Sequence, residues 1–77
     1  MKRLDWEEFR HNYGAGDKCG AVIINGCWRW QALGYPWYKW LRDRPTTDNF
    51  AILEIADGIV IYFSDPSDAT WFRLKWL

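Results

Sequence analysis

One imidazole, two thiols and a carboxylate-rich stretch are the side chains from which this chain could build a reaction. His11 follows Glu7 by four residues, a spacing that sets the two side by side on a helix, where a carboxylate can orient a general base. The same spacing describes a solvated ion pair on a helix surface, the commoner role of a lone imidazole. Ser64 and Ser67 flank the start of a helical pattern, where serine ordinarily serves the helix end, and nothing in the sequence brings either to His11. No nucleophile, base and orienting group come together, so the chain reads as a non-enzyme.

Metal and cofactor chemistry is equally thin. One His with Cys19 and Cys27 cannot complete a four-ligand zinc site from nitrogen and sulfur. The hairpin proposed below puts the two thiols on opposite faces, which rules out a disulfide and leaves both as small apolar fillers. Asp48, Glu54, Asp57, Asp65 and Asp68 lie in a stretch, 46–70, without a basic residue. They lack the alternating ligands and closing Glu of a calcium loop, and no spacing forces two of them together as a hydrolase pair. Turns, caps and a solvated edge account for them. Gly14-Ala15-Gly16 has neither the strand-to-helix context nor the lysine of a phosphate loop. No cofactor is implied.

The richest segment is 28–45, WRWQALGYPWYKWLRDRP. It interleaves Trp28, Trp30, Tyr35, Trp37, Tyr38 and Trp40 with Arg29, Lys39, Arg42 and Arg44 against the single Asp43. Aromatic platforms beside Arg and Lys suit single-stranded nucleic acid, where bases stack and phosphates pair. Trp, Tyr and Arg are also the residue types that dominate protein interfaces. The plainer alternative is that the aromatics pack the core and the basic side chains snorkel over them. A net charge of zero argues against binding nucleic acid through bulk charge.

Several elements must position these groups. Seventy-seven residues, 49% hydrophobic and 19% aromatic, allow a single domain spanning 1–77 and exclude a disordered chain. No apolar stretch is long enough to cross a membrane, and the start, MKRLDWEEF, is too acidic and broken for a signal peptide. A reducing, cytoplasmic setting is therefore expected. Residues 4–13 read as an amphipathic helix, with Asp5 capping, Glu8 completing a capping box, and Leu4 stapling Phe9. Cys19–Ile24 and Cys27–Leu33 flank Asn25-Gly26, which predicts a primed-turn hairpin pairing Ile24 with Cys27, Ile23 with Trp28 and Ala21 with Trp30. Phe50–Ala56 and Ile59–Phe63 flank Asp57-Gly58, a second such signal, pairing Ala56 with Ile59 and Leu53 with Tyr62. Both faces of this second hairpin are largely apolar, which calls for cover on two sides. Residues 65–77 form the closing helix, with Asp65 as cap and Pro66 at its first position. Ala69, Phe72 and Trp76 form one stripe, while Trp71 and Leu74 lie opposite, a face free for self-association. The segment 34–49 can hold a strand or one to two helical turns.

The last dozen residues carry a resemblance. Asp68-Ala69, Phe72 and Leu74-Lys75-Trp76 resemble the D-A-x-x-F-x-L-(R/K)-W ending of small uncharacterised proteins from tailed bacteriophages, marine ones in particular. The resemblance implies a phage source, hence the host cell cytoplasm, and an α+β fold with a meander between two helices. It implies no activity. The expected architecture is α+β: one antiparallel sheet of about four strands from two hairpins, between an N-terminal and a C-terminal helix. The expected function is a small non-enzymatic interaction protein, self-associating as a homodimer or meeting an unknown protein partner. The basic segment 28–45 and the acidic segment 46–70 would dock reciprocally about a twofold axis. The alternative is a single-stranded nucleic acid binder using 28–45.

Overall fold

The computed structural model describes residues 1–14, 20–28, 31 and 34–77. Their elements run β1 (Lys2–Arg3), α1 (Trp6–Tyr13), β2 (Gly20–Asn25), α2 (Pro36–Asp43), β3 (Asn49–Ile55), β4 (Gly58–Phe63) and α3 (Pro66–Trp76). The fold is α+β, with one four-stranded sheet ordered β1-β3-β4-β2. β3–β4 and β4–β2 pair antiparallel, and the short β1 joins the far edge in parallel with β3.

The central strand explains the order. Ile59, Val60, Ile61 and Phe63 are all buried, so β4 needs helices over both faces and a strand on each side. β3 supplies one neighbour through the expected hairpin. β2 supplies the other, with Gly20 opposite Phe63 and Ile24 opposite Ile59. The anticipated hairpin between Cys19–Ile24 and Cys27–Leu33 is not seen among the described residues: β2 pairs with β4, with Ile23 opposite Val60 and Ala21 opposite Tyr62. Gly26 has the positive φ of +73° that the Asn-Gly signal implies, but Asn25 does not, as a primed turn would require. Gly26 N–H instead donates to the Asp57 carbonyl at 2.7 Å, tying the end of β2 to the neighbouring turn. Cys27 and Trp28 lie outside any strand, and Cys19, Arg29, Trp30 and 32–33 fall outside the described residues.

The second hairpin forms with its register moved by two residues. Leu53 faces Val60 and Ile55 faces Gly58, so the two-residue turn is Ala56-Asp57. A two-residue shift preserves which side chains share a face. Phe50, Ile52, Ile59, Ile61 and Phe63 face α2 and α3, in one core with Val22, Trp37, Leu41, Ala69 and Phe72. Ala51 faces the other way, into a smaller cluster with Leu4 and Phe9 under α1, bordered by Trp6 and Tyr62. The Leu4–Phe9 pairing holds as anticipated, although the Asp5 side chain makes no capping bond. The double cover that the apolar hairpin called for comes from within the chain, because α2 joins α3 on one face while α1 covers the other.

Gly58 is needed for a reason the turn signature did not give. Its φ is not positive. A Cβ there would press into the Ile24 carbonyl oxygen and lie 2.9 Å from Asn25 Cα, so glycine is what allows β2 to pair at this point.

Candidate functional site

The aromatic–basic segment is split by the helix it forms. Pro36 opens α2, and Trp37 and Leu41, four residues apart, enter the core. Tyr38 packs edge-on to Phe50, and its hydroxyl accepts from Arg3 Nη1 at 3.3 Å. Lys39 and Arg42 are exposed, while Trp40 and Arg44 are half-buried. Trp28 and Tyr35 keep 47% and 42% of their surface open, so they remain available, but Trp37 is spent on packing. Of the nine residues anticipated as one surface, Arg29 and Trp30 lie outside the described residues, and among the other seven Trp37 turns into the core.

A different grouping replaces it. α2 and α3 flank an open groove of about 570 Å³, lined by Pro36, Lys39, Trp40, Asp43, Arg44, Pro45, Lys75 and Trp76. Its floor is the edge-to-face pair Trp40–Trp76, with centroids 6.2 Å apart. Cations sit on both indoles: Arg44 is 4.6 Å from the Trp40 ring and Lys75 is 5.4 Å from the Trp76 ring. With Lys39 on the rim, three basic side chains face one carboxylate, Asp43. Arg44 Nε and Trp76 Nε1 are both buried without acceptors, so unsatisfied donors concentrate at this groove. Lys75 and Trp76 were read as parts of a terminal helix, and only the packing of α3 beside α2 makes them neighbours of Trp40. The available signal was the two-sided apolar pattern of 65–77.

Behind the groove lies a carboxylate cluster that the sequence reading missed. The β3–β4 register continues past the strands, so residue 48 comes opposite residue 65, and Asn49 N–H donates to Ser64 Oγ at 2.9 Å. Asp65 accepts from Ser67 N–H at 2.9 Å as the cap of α3, and that bond holds its carboxyl below the usual range. Asp68, one turn into α3, then joins them. Carboxylate oxygens of Asp48, Asp65 and Asp68 lie within 4.8 Å of one another. The acidic residues are therefore not all a solvated edge: Asp68 is only 4% exposed. Its Oδ1 takes Arg44 Nη2 at 3.4 Å, and its Oδ2 is buried with no donor. Burial first, then Asp48 beside it, push the Asp68 carboxyl up to about 6, and Arg44 only partly offsets them.

The remaining chemical candidates stay apart. Glu7 pairs with Arg10 at 2.8 Å, and His11 is exposed on α1, across the sheet from the groove. Cys27 is buried, its Sγ donating to the Trp28 carbonyl at 3.6 Å, and burial raises its pKa. Among the described residues no helix is long and apolar enough to cross a membrane. Trp71 and Leu74 of α3, on the side away from Ala69 and Phe72, are 57% and 74% exposed, and Leu77 just past the helix is 73% exposed. Comparison of the chain with family models, with curated proteins and with solved structures finds no match to any of them.

Proposed function

We propose that this chain is a small non-enzymatic interaction protein whose partner site is the groove between α2 and α3. The observation that carries the reading is an indole floor under three basic side chains, with one acid among them. An apolar floor with a cationic rim suits a protein segment that places an aliphatic or aromatic side chain between acidic residues. Nucleic acid is the weaker occupant, because the two indoles meet edge to face and each already has a cation on it, leaving no run of open faces for successive bases. The test is intrinsic tryptophan fluorescence during titration with an acidic peptide containing one Phe, and with a single-stranded oligonucleotide. Saturable peptide binding that weakens about tenfold in the Lys39→Glu/Lys75→Glu double variant supports the reading. Tighter, steeply salt-dependent binding of the oligonucleotide would transfer the site to nucleic acid.

A second reading rests on the outer face of α3. Trp71, Leu74 and Leu77 recur every three residues, with Ser67 and Thr70 among them and Arg73 and Lys75 at the margins, so the middle of the stripe is uncharged. A second copy packing its own α3 there gives the homodimer expected from the sequence. The twofold docking of basic on acidic segments is less favoured, since Arg44 already meets Asp68 within one chain. Sedimentation equilibrium of the parent and of Trp71→Ser/Leu74→Ser tests this. A parent protein that stays monomeric at high micromolar concentration ends it.

A further inference from the structure

We propose that the anion affinity of the α2–α3 groove is set from behind, by the proton occupancy of the Asp48–Asp68 pair acting through Arg44. This rests on the groove being the partner site and adds its regulation. Arg44 belongs to two surroundings at once. One side of its guanidinium lies over Trp40 and lines the groove, and the other meets the buried Asp68 carboxylate. Its Nε is buried without an acceptor, so one donor is left unused between the two contacts.

The groups facing Asp68 come from each neighbouring segment. Asp48 precedes β3, Asp65 caps α3 and Arg44 follows α2. The N-terminal amine lies close by, donating to the carbonyls of Arg42 and Arg44. Fully ionised, the three clustered carboxylates place their negative charge beside the guanidinium, which Asp68 holds inward, and offset its charge at the groove. One added proton removes a unit of negative charge and gives Asp68 Oδ2 a bond to Asp48 in place of its unpaired state. Arg44 is then freer to serve an anion on the Trp40 side. Anion affinity therefore rises as pH falls through the range where Asp68 takes up its proton. One unit charge roughly 8 Å away, at an effective dielectric of about 20 and physiological salt, changes affinity by about three- to tenfold.

The probe is a blocked peptide with one Phe flanked by cysteic acid residues, whose sulfonates stay ionised throughout. Its affinity is measured by tryptophan fluorescence at about pH 5 and about pH 8. The parent protein is expected to bind about three- to tenfold more tightly at the lower pH. Asp68→Asn, an isosteric mimic of the protonated side chain, is expected to bind equally at both pH values, near the acid-side affinity of the parent. Asp48→Asn, at a half-buried position, is the second variant should Asp68→Asn fail to fold. A pH dependence that survives in both variants overturns the regulation and leaves the groove reading standing. No binding at either pH, or binding unaffected by Lys39→Glu/Lys75→Glu, defeats the groove reading and this proposal with it.

Discussion

Replacing Gly58 with Ala tests the architecture at its least forgiving point. The residue has no positive φ and sits opposite Asn25 at the end of the β2–β4 ladder, so the added methyl causes no φ strain. Its whole effect is steric. The new Cβ would lie 2.9 Å from Asn25 Cα, whereas carbon atoms sit comfortably at about 3.5–4.0 Å, and the Ile24 carbonyl is closer still. The end of β2 must retreat by at least about 0.6 Å, which weakens the last ladder bonds at about 0.5–1.5 kcal/mol each. Overpacking typically adds about 1–3 kcal/mol, so a loss of about 3 kcal/mol is expected. A chain of this size has about 4–12 kcal/mol in total. Thermal unfolding followed by tryptophan fluorescence should show a Tm lower by about 12–24 °C. Gly26→Ala is the contrasting variant. No atom lies within 4 Å of its Cβ, but its φ of +73° is left-handed, and it should cost only about 1–2 kcal/mol. Gly58→Asn discriminates further. Asn tolerates a left-handed turn, so a mild effect would place Gly58 in a primed turn, and a loss at least as large as that of Ala supports the extended, crowded position. A Gly58→Ala protein that melts within a few degrees of the parent would refute the pairing of β2 with β4.

The Asp68 carboxyl binds its proton at about 6 in the folded chain against roughly 3.9 unfolded. The folded state thus holds more protons between these values, and stability should fall as pH rises from about 4 to about 6.5, by at most about 3 kcal/mol. Urea midpoints across that range should show the fall in the parent and a flatter curve for Asp68→Asn; equal slopes would remove the assignment. Phe72, fully buried against Phe63 at 6.0 Å and Trp37 at 5.7 Å, should cost about 3–5 kcal/mol on replacement by Ala, enough to unfold much of the population at 37 °C by circular dichroism. Trp71→Ser, on the open face of α3, should leave the monomer's urea midpoint equivalent to within about 0.5 kcal/mol.

Local signals in the chain were legible where a single residue type has a single use. The Asp65-Pro66 start of α3, the Leu4–Phe9 contact at α1 and the apolar runs of β3 and β4 could be read directly, because caps, staples and alternation act within a few residues. The α+β class followed from them, as did β2, β3 and β4 as strands. Partner choice between strands did not. Asn25-Gly26 suits a hairpin, yet β2 pairs with β4, a strand apolar on both faces that needs a neighbour on each side. The parallel β1, two residues long, leaves no pattern to read.

The site divides the same way. Trp40, Lys39 and Arg44 were picked out by their types, but Trp76 and Lys75 join them only because α2 and α3 lie side by side on one sheet face. The sequence by itself determined the elements, their caps and the apolar faces they must bury, since these depend on neighbours at fixed separations along the chain. The tertiary structure decided which strands pair, that Trp37 goes inward while Trp40 lines a groove, and that Asp48, Asp65 and Asp68 converge on one another with Arg44 on Asp68. A two-residue shift in one hairpin leaves every side chain on its face, so no periodicity records it, yet it determines which carboxylates meet.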